Sequence, residues 1–145
     1  MRMNRALQYG LLFVFYLSRS GRSTIDVISQ NIDVPKSFLG NIARELIERK
    51  IIKSIRGIGG GYELVGDPTV AEVFSSLNSI TLMSPQELSS YRRGETEHRA
   101  LARLVDDLYF SLGPVYDRSV RDVVKELVQA EVFMMNKLQS TARAN

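Results

Sequence analysis

Residues 52–65 read IKSIRGIGGGYELV, and this stretch decides the fold. Two short runs with β-branched and aromatic residues flank a link, residues 57–61, in which every position but one is glycine. Glycine supplies the positive φ values that a tight exposed loop needs. The pattern therefore predicts a β-hairpin with strands at 52–56 and 62–65.

Two predicted helices precede the hairpin. Residues 23–26 resemble a capping box with Ser23 as the cap, and they open a helix that runs to about residue 31. After a turn at 32–34, Pro35 begins a helix that runs to about residue 50, with Asp33 as its candidate cap. Two short helices joined by such a turn form a helix-turn-helix, and the hairpin after them completes the outline of a winged helix.

The helix at 35–50 has two unlike faces. Its predicted core side carries Phe38, Leu39, Ile42, Leu46 and Ile47. Its opposite side carries Ser37, Gly40, Asn41, Arg44 and Glu48. Such a helix buries the first face and leaves the second free for solvent or a ligand.

The first predicted helix, residues 4–19, is apolar on nearly every side, with Leu7, Leu11, Val14 and Phe15 at helical spacing. A helix of this kind is usually buried on more than one side, here by a domain core and by a second subunit. A basic start before an apolar run also resembles a signal peptide, but polar residues interrupt the run and no cleavage pattern follows. We expect neither a signal peptide nor a membrane span.

The second half predicts further helices. A short one is expected at 69–77, and residues 78–94 are expected to be a partly looped linker. From residue 96 onward, Leu101, Leu104, Leu108 and Leu112 step by three or four residues, close to a coiled-coil seam. Gly113-Pro114 should break that helix, and another is expected at about 115–139.

These elements predict a mostly helical chain with a two-stranded β wing and long C-terminal dimerisation helices. The expected domains are a winged-helix DNA-binding domain at 1–78, linker and dimerisation helices at 79–139, and a flexible tail at 140–145. The large apolar side chains of the second half favour a dimer interface at Leu101, Leu104, Leu108 and Leu112. A small-molecule pocket between these helices stays an alternative.

Composition narrows the function. The chain has no cysteine, which excludes disulfides, thiol catalysis and cysteine-ligated metal sites, and which suits the cytoplasm. Residues 1–62 hold ten Lys/Arg and four Asp/Glu, a net charge of +6, whereas residues 63–145 hold nine and twelve, a net charge of −3. The basic half is the one expected to face nucleic acid.

Residues 7–11 and 55–64 closely resemble a family of bacterial regulators, the Rrf2 family, which includes the IscR, NsrR, RirA and CymR types. The second segment resembles the wing signature of that family, with Ile58 where proline is typical, and Tyr9-Gly10 sits near the family's aromatic residue in its first helix. The resemblance is strong over residues 1–78. It implies a dimer joined through a long helix, a near-palindromic operator and repression.

Two departures from the family matter. Many members hold an iron–sulfur cluster on three cysteines, which this chain lacks, so sensing through such a cluster is excluded. His98 lies near a histidine ligand of some members and is interpreted here as a surface helix residue, because one imidazole cannot make a metal site. Gly40 stands where relatives often carry a long base-reading side chain.

The expected DNA contacts combine the helix and the wing. A recognition helix lays its N-terminal residues in the major groove, where Asn pairs well with adenine and Arg with guanine. The resemblance puts Arg56 in the minor groove. The predicted DNA-binding residues are Arg2, Arg5, Lys36, Ser37, Gly40, Asn41, Arg44, Lys53, Arg56, Gly57, Gly59 and Gly60, with Arg22 as a further candidate for the backbone.

The sequence gives less support to other functions. The glycine run is not a dinucleotide fingerprint, since Tyr62 takes the place of its third glycine and a strand follows it. No catalytic constellation or metal motif is present, so we predict no enzyme, no cofactor and no metal. One alternative stays open, in which the winged helix is a protein-interaction module with little DNA binding. A small-molecule or protein effector is also compatible with the sequence.

Overall fold

The computed structural model describes residues 4–77 and 85–144. Within these ranges it contains α1 Arg5–Ser20, α2 Ile25–Ile32, α3 Lys36–Glu48, β1 Ile52–Ile55, β2 Gly61–Leu64, α4 Val70–Ser76, α5 Pro85–Arg92, α6 Thr96–Tyr116 and α7 Val120–Ala144. The strands form one antiparallel sheet. The predicted fold class, mostly helical with a two-stranded wing, is therefore confirmed.

The first two helices begin at side-chain caps. The Asn4 side chain accepts a hydrogen bond in the first turn of α1, and the Thr24 hydroxyl accepts one from the Val27 N–H at 3.4 Å in α2. The prediction that Ser23 caps α2 was wrong. Ser23 forms a backbone bridge with Tyr62 instead, which places the cap one residue later.

The turn between α2 and α3 also differs from the prediction. Asp33 adopts a left-handed conformation with φ of 53° and ends α2, so it does not cap α3. Pro35 immediately precedes α3 in an extended conformation, without a side-chain cap. The Ser29 hydroxyl donates to the Val34 carbonyl at 2.7 Å, which holds this turn closed.

The hairpin pairs Ile52 with Leu64 and Lys53 with Glu63. At its tip the Gly60 N–H donates to the Gly57 carbonyl at 3.0 Å, and the third residue of the turn, Gly59, has φ of 74°. This is the pattern of a type II turn, which favours proline at its second position but does not require it. The isoleucine at position 58 is therefore compatible with the turn.

A backbone bridge attaches the hairpin to the helix-turn-helix. The Tyr62 N–H donates to the Ser23 carbonyl at 2.8 Å, and the Ser23 N–H donates to the Tyr62 carbonyl at 3.1 Å. A Cβ at Gly61 would lie 2.4 Å from the Ser23 carbonyl oxygen. Only glycine therefore allows this close approach.

The main core forms around α1, which packs against α2, α3, α4, α7 and β2. Its buried residues are Leu7, Gly10, Phe13, Val14 and Leu17. The predicted stripe was rotated, since Leu11 and Phe15 are only partly buried. On α3, Phe38 and Ile47 are 45% and 38% exposed and lie outside the core, contrary to prediction, because they flank the buried stripe at its two edges.

The start of α7 belongs to the same core. Val120 is fully buried there, and its N–H donates to the Pro68 carbonyl at 2.8 Å. Thr69 and Ser119 form a second backbone bridge. Residues on both sides of the predicted boundary at 78–79 thus share one core, and the division into domains stays a prediction.

A second, smaller core lies between α5 and α6, where Leu88 packs against Ala102 and Val105. Of the linker, which was expected to be partly looped, residues 85–92 are helical, while residues 78–84 lie outside the described part. Gly113-Pro114 was expected to break or kink the helix, and α6 continues without a break to Tyr116. The Tyr116 ring packs against Phe74 of α4 with centroids 5.2 Å apart, which holds this end of α6 in place.

The last helix is displaced relative to the prediction. It begins at Val120 rather than near residue 115, and it continues to Ala144, so the expected tail at 140–145 is helical over its described residues. From residue 125 onward the side chains of α7 are exposed. None of the helices in the described ranges has the length and hydropathy needed to cross a membrane.

We expect Val120→Ala to lower the free energy of unfolding by about 1–3 kcal/mol, because it leaves a cavity where α7 joins the main core. Urea denaturation measures the loss. Lys125→Ala, one helical turn further along at an exposed position, should change it by less than about 0.5 kcal/mol. Equal effects of the two variants would show that the start of α7 is not held by this packing.

Candidate nucleic-acid interface

The solvent-facing side of α3 carries most of the predicted base-reading residues. Ser37, Asn41 and Arg44 are exposed and follow one another at helical spacing, while Leu39, Ile42 and Leu46 on the other side are buried. This arrangement leaves amide, hydroxyl and guanidinium groups on one accessible face. These are the groups that can pair with base edges in a major groove.

Gly40 lies at the edge of that face and is partly buried. A Cβ at this position would meet no atom within 4 Å, and the backbone does not need a positive φ. Packing within the protein therefore does not require glycine here. The residue costs about 1 kcal/mol in helix propensity relative to alanine.

The tip of the wing is built from glycine. Gly57 and Gly59 have φ of 93° and 74°, values that other residues rarely adopt. A Cβ at Gly60 would lie 2.3 Å from the Ile55 carbonyl oxygen. Ile58 is fully exposed at the tip. Three of the five residues of the hairpin that are predicted to bind DNA are thus glycines that the conformation of the loop itself requires.

Arg56 immediately follows β1 and is exposed. No acidic residue in the described ranges forms an ion pair with it. Its guanidinium group is therefore available to a ligand at the base of the glycine turn. A narrow minor groove, with its enhanced negative potential, attracts such a group.

Other predicted contacts are ion-paired within the protein. The Glu63 carboxylate lies 2.9 Å from the Arg22 Nε and 3.1 Å from the Lys53 Nζ. The Lys36 Nζ, at the start of α3, lies 2.6 Å from the Asp26 carboxylate of α2. Sequence reasoning missed both acidic partners. The pairing of Lys53 with Glu63 could have been found by centring the hairpin on its glycine turn.

The ion pairs affect the ionisation of Glu63. The hydrogen bond from Arg22, followed by the one from Lys53, holds the pKa of the Glu63 carboxyl below its ordinary value of 4.5. Hydrogen bonds to the charged form of a carboxyl act in this direction. Glu63 is therefore ionised at neutral pH and stays so into mildly acidic solution.

Contacts connect the separate parts of this surface. The Ser23–Tyr62 bridge joins the wing to the start of α2, and the Lys36–Asp26 pair joins the start of α2 to that of α3. Tyr9 of α1 packs edge-on against Phe38 of α3 with centroids 5.8 Å apart. Arg5 is exposed one turn before Tyr9, on the same side of α1. Arg2 lies outside the described residues.

The predicted dimer residues lie on α6. Leu101, Leu104 and Leu108 are 40%, 56% and 41% exposed, and Leu112 is half-buried. The adjoining side of α6 packs on α5 through Ala102 and Val105. The leucines therefore form an apolar stripe that no other part of the described chain covers fully.

The donor set does not fit a cysteine-ligated iron–sulfur cluster. Cysteine thiolates are the usual ligands of such clusters, and the sequence contains none. In the described ranges, no three His, Asp or Glu residues are grouped so that they could hold a metal ion. His98 is exposed on α6, with its ring centroid 5.0 Å from that of Tyr91.

Comparisons with known proteins agree with this geometry. Residues 3–112 match the family model described as Rrf2, an iron-dependent transcriptional regulator. BadM of Rhodopseudomonas palustris, whose name assigns it to the HTH-type transcriptional regulators, is 26% identical over 113 residues, which cover 74% of this chain and 70% of BadM.

Two solved structures share the fold. CymR, described as the global cysteine regulator of B. subtilis, has a TM-score of 0.62 at 20% identity and covers 87% of this chain and 98% of its own. IscR of T. potens has a TM-score of 0.61 at 18% identity, covering 90% of both chains.

We expect Arg22→Gln to raise the pKa of Glu63 towards 4.5, and to raise it more than Lys53→Gln does, because the Arg22 hydrogen bond is the largest cause of the lowering. Carboxyl NMR titration measures both shifts. A lowered pKa in the folded state stabilises the fold above the unfolded value, and this contribution is lost as the pH falls through the folded value. An unchanged Glu63 pKa in both variants would contradict the ion-pair geometry.

Proposed function

Because this chain belongs to the Rrf2 family of transcriptional regulators, we propose that it binds a near-palindromic DNA operator as a homodimer in the cytoplasm and represses transcription there. The chain is a DNA-binding regulator by family. Repression follows if the bound dimer covers promoter DNA and excludes the polymerase.

The observation that carries the proposal is the pairing of an exposed polar face on α3 with an unpaired arginine at the base of the wing. Asn41 and Arg44 read base edges in the major groove, and Ser37 supports them. Arg56 enters the adjacent minor groove. The wing glycines Gly57, Gly59 and Gly60 let the loop approach the sugar–phosphate edge without a Cβ clash.

The remaining basic residues contribute affinity. Arg2, Arg5, Lys36 and Lys53 meet phosphates, which fixes the position of the protein but reads no sequence. Gly40 carries no side chain and leaves space for a thymine methyl group or for close approach of the DNA. These roles follow from the exposed positions of the described residues on one connected surface.

A second copy of the chain covers the leucine stripe of α6. Large exposed apolar patches on a protein mark interaction surfaces, and a twofold axis through Leu101, Leu104, Leu108 and Leu112 presents two α3 helices to two half-sites. Half-sites about one helical turn apart match such a dimer. The regulatory signal is a small molecule or another protein, since the donor set does not fit a cysteine-ligated cluster.

DNA selection with the purified protein at two salt concentrations tests the function. We expect a palindromic motif with half-sites about one helical turn apart. Binding that is independent of DNA sequence and weakens steeply with salt would show electrostatic attraction without sequence recognition. Failure to bind any duplex would favour the protein-interaction module.

On the selected operator, Arg56→Ala should weaken binding by about 1–3 kcal/mol, the range that one specific side-chain contact is worth. Fluorescence anisotropy measures the change. Arg49→Ala removes the same charge just beyond the C-terminal end of α3, and it should lower the affinity only slightly. If the two variants bind the operator equally well, Arg56 does not enter the minor groove.

Replacing both Leu104 and Leu108 with glutamate should dissociate the dimer and abolish operator binding, because it puts four charges into an apolar interface. Sedimentation equilibrium measures the mass. Arg99→Glu changes the net charge by the same amount on the same helix and should leave the dimer intact. A dimer that survives the double substitution would place the interface elsewhere.

A further inference from the structure

Three of the basic residues predicted to meet DNA backbone already have acidic partners. Lys36 pairs with Asp26, and both Arg22 and Lys53 pair with Glu63. Glu63 is the acid that binds two of them at once. Glu63 therefore has a larger effect than Asp26 on the charge of this surface.

Glu63 lies at the centre of a small network on the wing. Lys53 is its direct cross-strand neighbour in the hairpin register. Arg22 reaches it from the segment before α2, and the Arg22 guanidinium also contacts the Gly59 carbonyl at 3.4 Å. One carboxylate oxygen accepts from Arg22 and the other lies beside Lys53, so both oxygens are engaged.

The three cations of the wing region are therefore not equivalent. Arg22 and Lys53 have side chains that are 43% and 55% exposed, yet a common carboxylate holds them. Arg56 has no acidic partner in the described ranges. Of these three cations, only Arg56 has no carboxylate beside it within the described residues, and it lies at the position proposed for the minor groove.

We propose that Glu63 attenuates DNA binding by the wing: its carboxylate holds Arg22 and Lys53, offsets one of their two positive charges, and so lowers the affinity of the wing for DNA of any sequence. This inference rests on the proposed function, because it concerns how strongly the wing meets DNA.

The physical basis is counterion release. Each cation that neutralises a phosphate adds about 0.9 to the slope of log affinity against log salt, whatever the sequence. A cation held by a carboxylate meets a phosphate more weakly than a free one, because the neighbouring carboxylate repels that phosphate. Contacts to phosphate read no sequence, so this weakening applies to operator and random DNA alike.

The test compares the full chain with Glu63→Gln on a random-sequence duplex and on the selected operator, over a salt series. The amide keeps the shape of the side chain and removes its charge. Glu126→Gln is the matched control, because it makes the same substitution at another ion-paired glutamate, the partner of Arg118 outside the wing.

We expect Glu63→Gln to raise affinity for the random duplex by roughly threefold to tenfold at low salt, and to steepen the salt dependence by about one phosphate contact. The affinity for the operator should rise by a similar factor, because phosphate contacts are shared by both duplexes. Glu126→Gln should change the affinity and the slope much less. In the triple variant Glu63→Gln, Arg22→Gln, Lys53→Gln, the slope should fall to the wild-type value or below it, since both cations are gone.

Two outcomes would overturn the inference. Random-duplex affinity of Glu63→Gln equal to that of the control would show that the carboxylate does not limit the two cations. Weaker binding to both duplexes would show that Glu63 positions Arg22 and Lys53 for phosphates rather than withholding them. Failure of the wild-type chain to bind either duplex would refute the proposed function itself, which is a distinct result.

Discussion

The surface proposed to face DNA depends on two backbone hydrogen bonds between Ser23 and Tyr62. They attach the hairpin to the start of α2, in addition to the packing of Ile52 and Leu64 in the main core. The approach is close enough that the carbonyl of Ser23 would clash with any Cβ at Gly61. The glycine run therefore has two separate structural roles, since Gly57 and Gly59 form the turn at the tip of the wing while Gly61 permits the contact with Ser23. The network of Glu63 with Arg22 exists because the bridge brings these two segments side by side.

Local patterns predicted the local structure well. The glycine run identified the hairpin, and the stripe through Leu39, Ile42 and Leu46 identified the face of α3 that stays free. Features that depend on tertiary packing were harder to predict from the sequence. The edges of the α3 stripe depended on which neighbours α1 and α4 provided, and Pro114 was tolerated because Tyr116 packs against Phe74. The carboxylate partners of Arg22 and Lys36 could not be predicted, because they come from other elements and no short spacing encodes them.

The second half of the chain is anchored at one end. Val120 fixes the start of α7 in the core beneath α1, whereas the rest of that helix has no described neighbour beyond its first turns. On α6, one face is occupied by α5 and the leucine stripe faces outward. Helices held in this way cannot complete their own burial, since the described parts of the chain leave the apolar side chains of Leu104 and Phe133 more than half exposed. The folded monomer thus has a structural reason to pair.

Gly40 has a consequence for how this regulator can change over generations. A side chain added there would project from the edge of the proposed recognition face into open space, without disturbing the core. Most replacements would even strengthen the helix, by up to about 1 kcal/mol for alanine. The stability of the fold therefore does not oppose new side chains at this position. A single substitution can create a new preference for a base pair while the fold, the wing and the helix faces stay as they are, so that operator choice is free to diverge faster than the architecture that presents it.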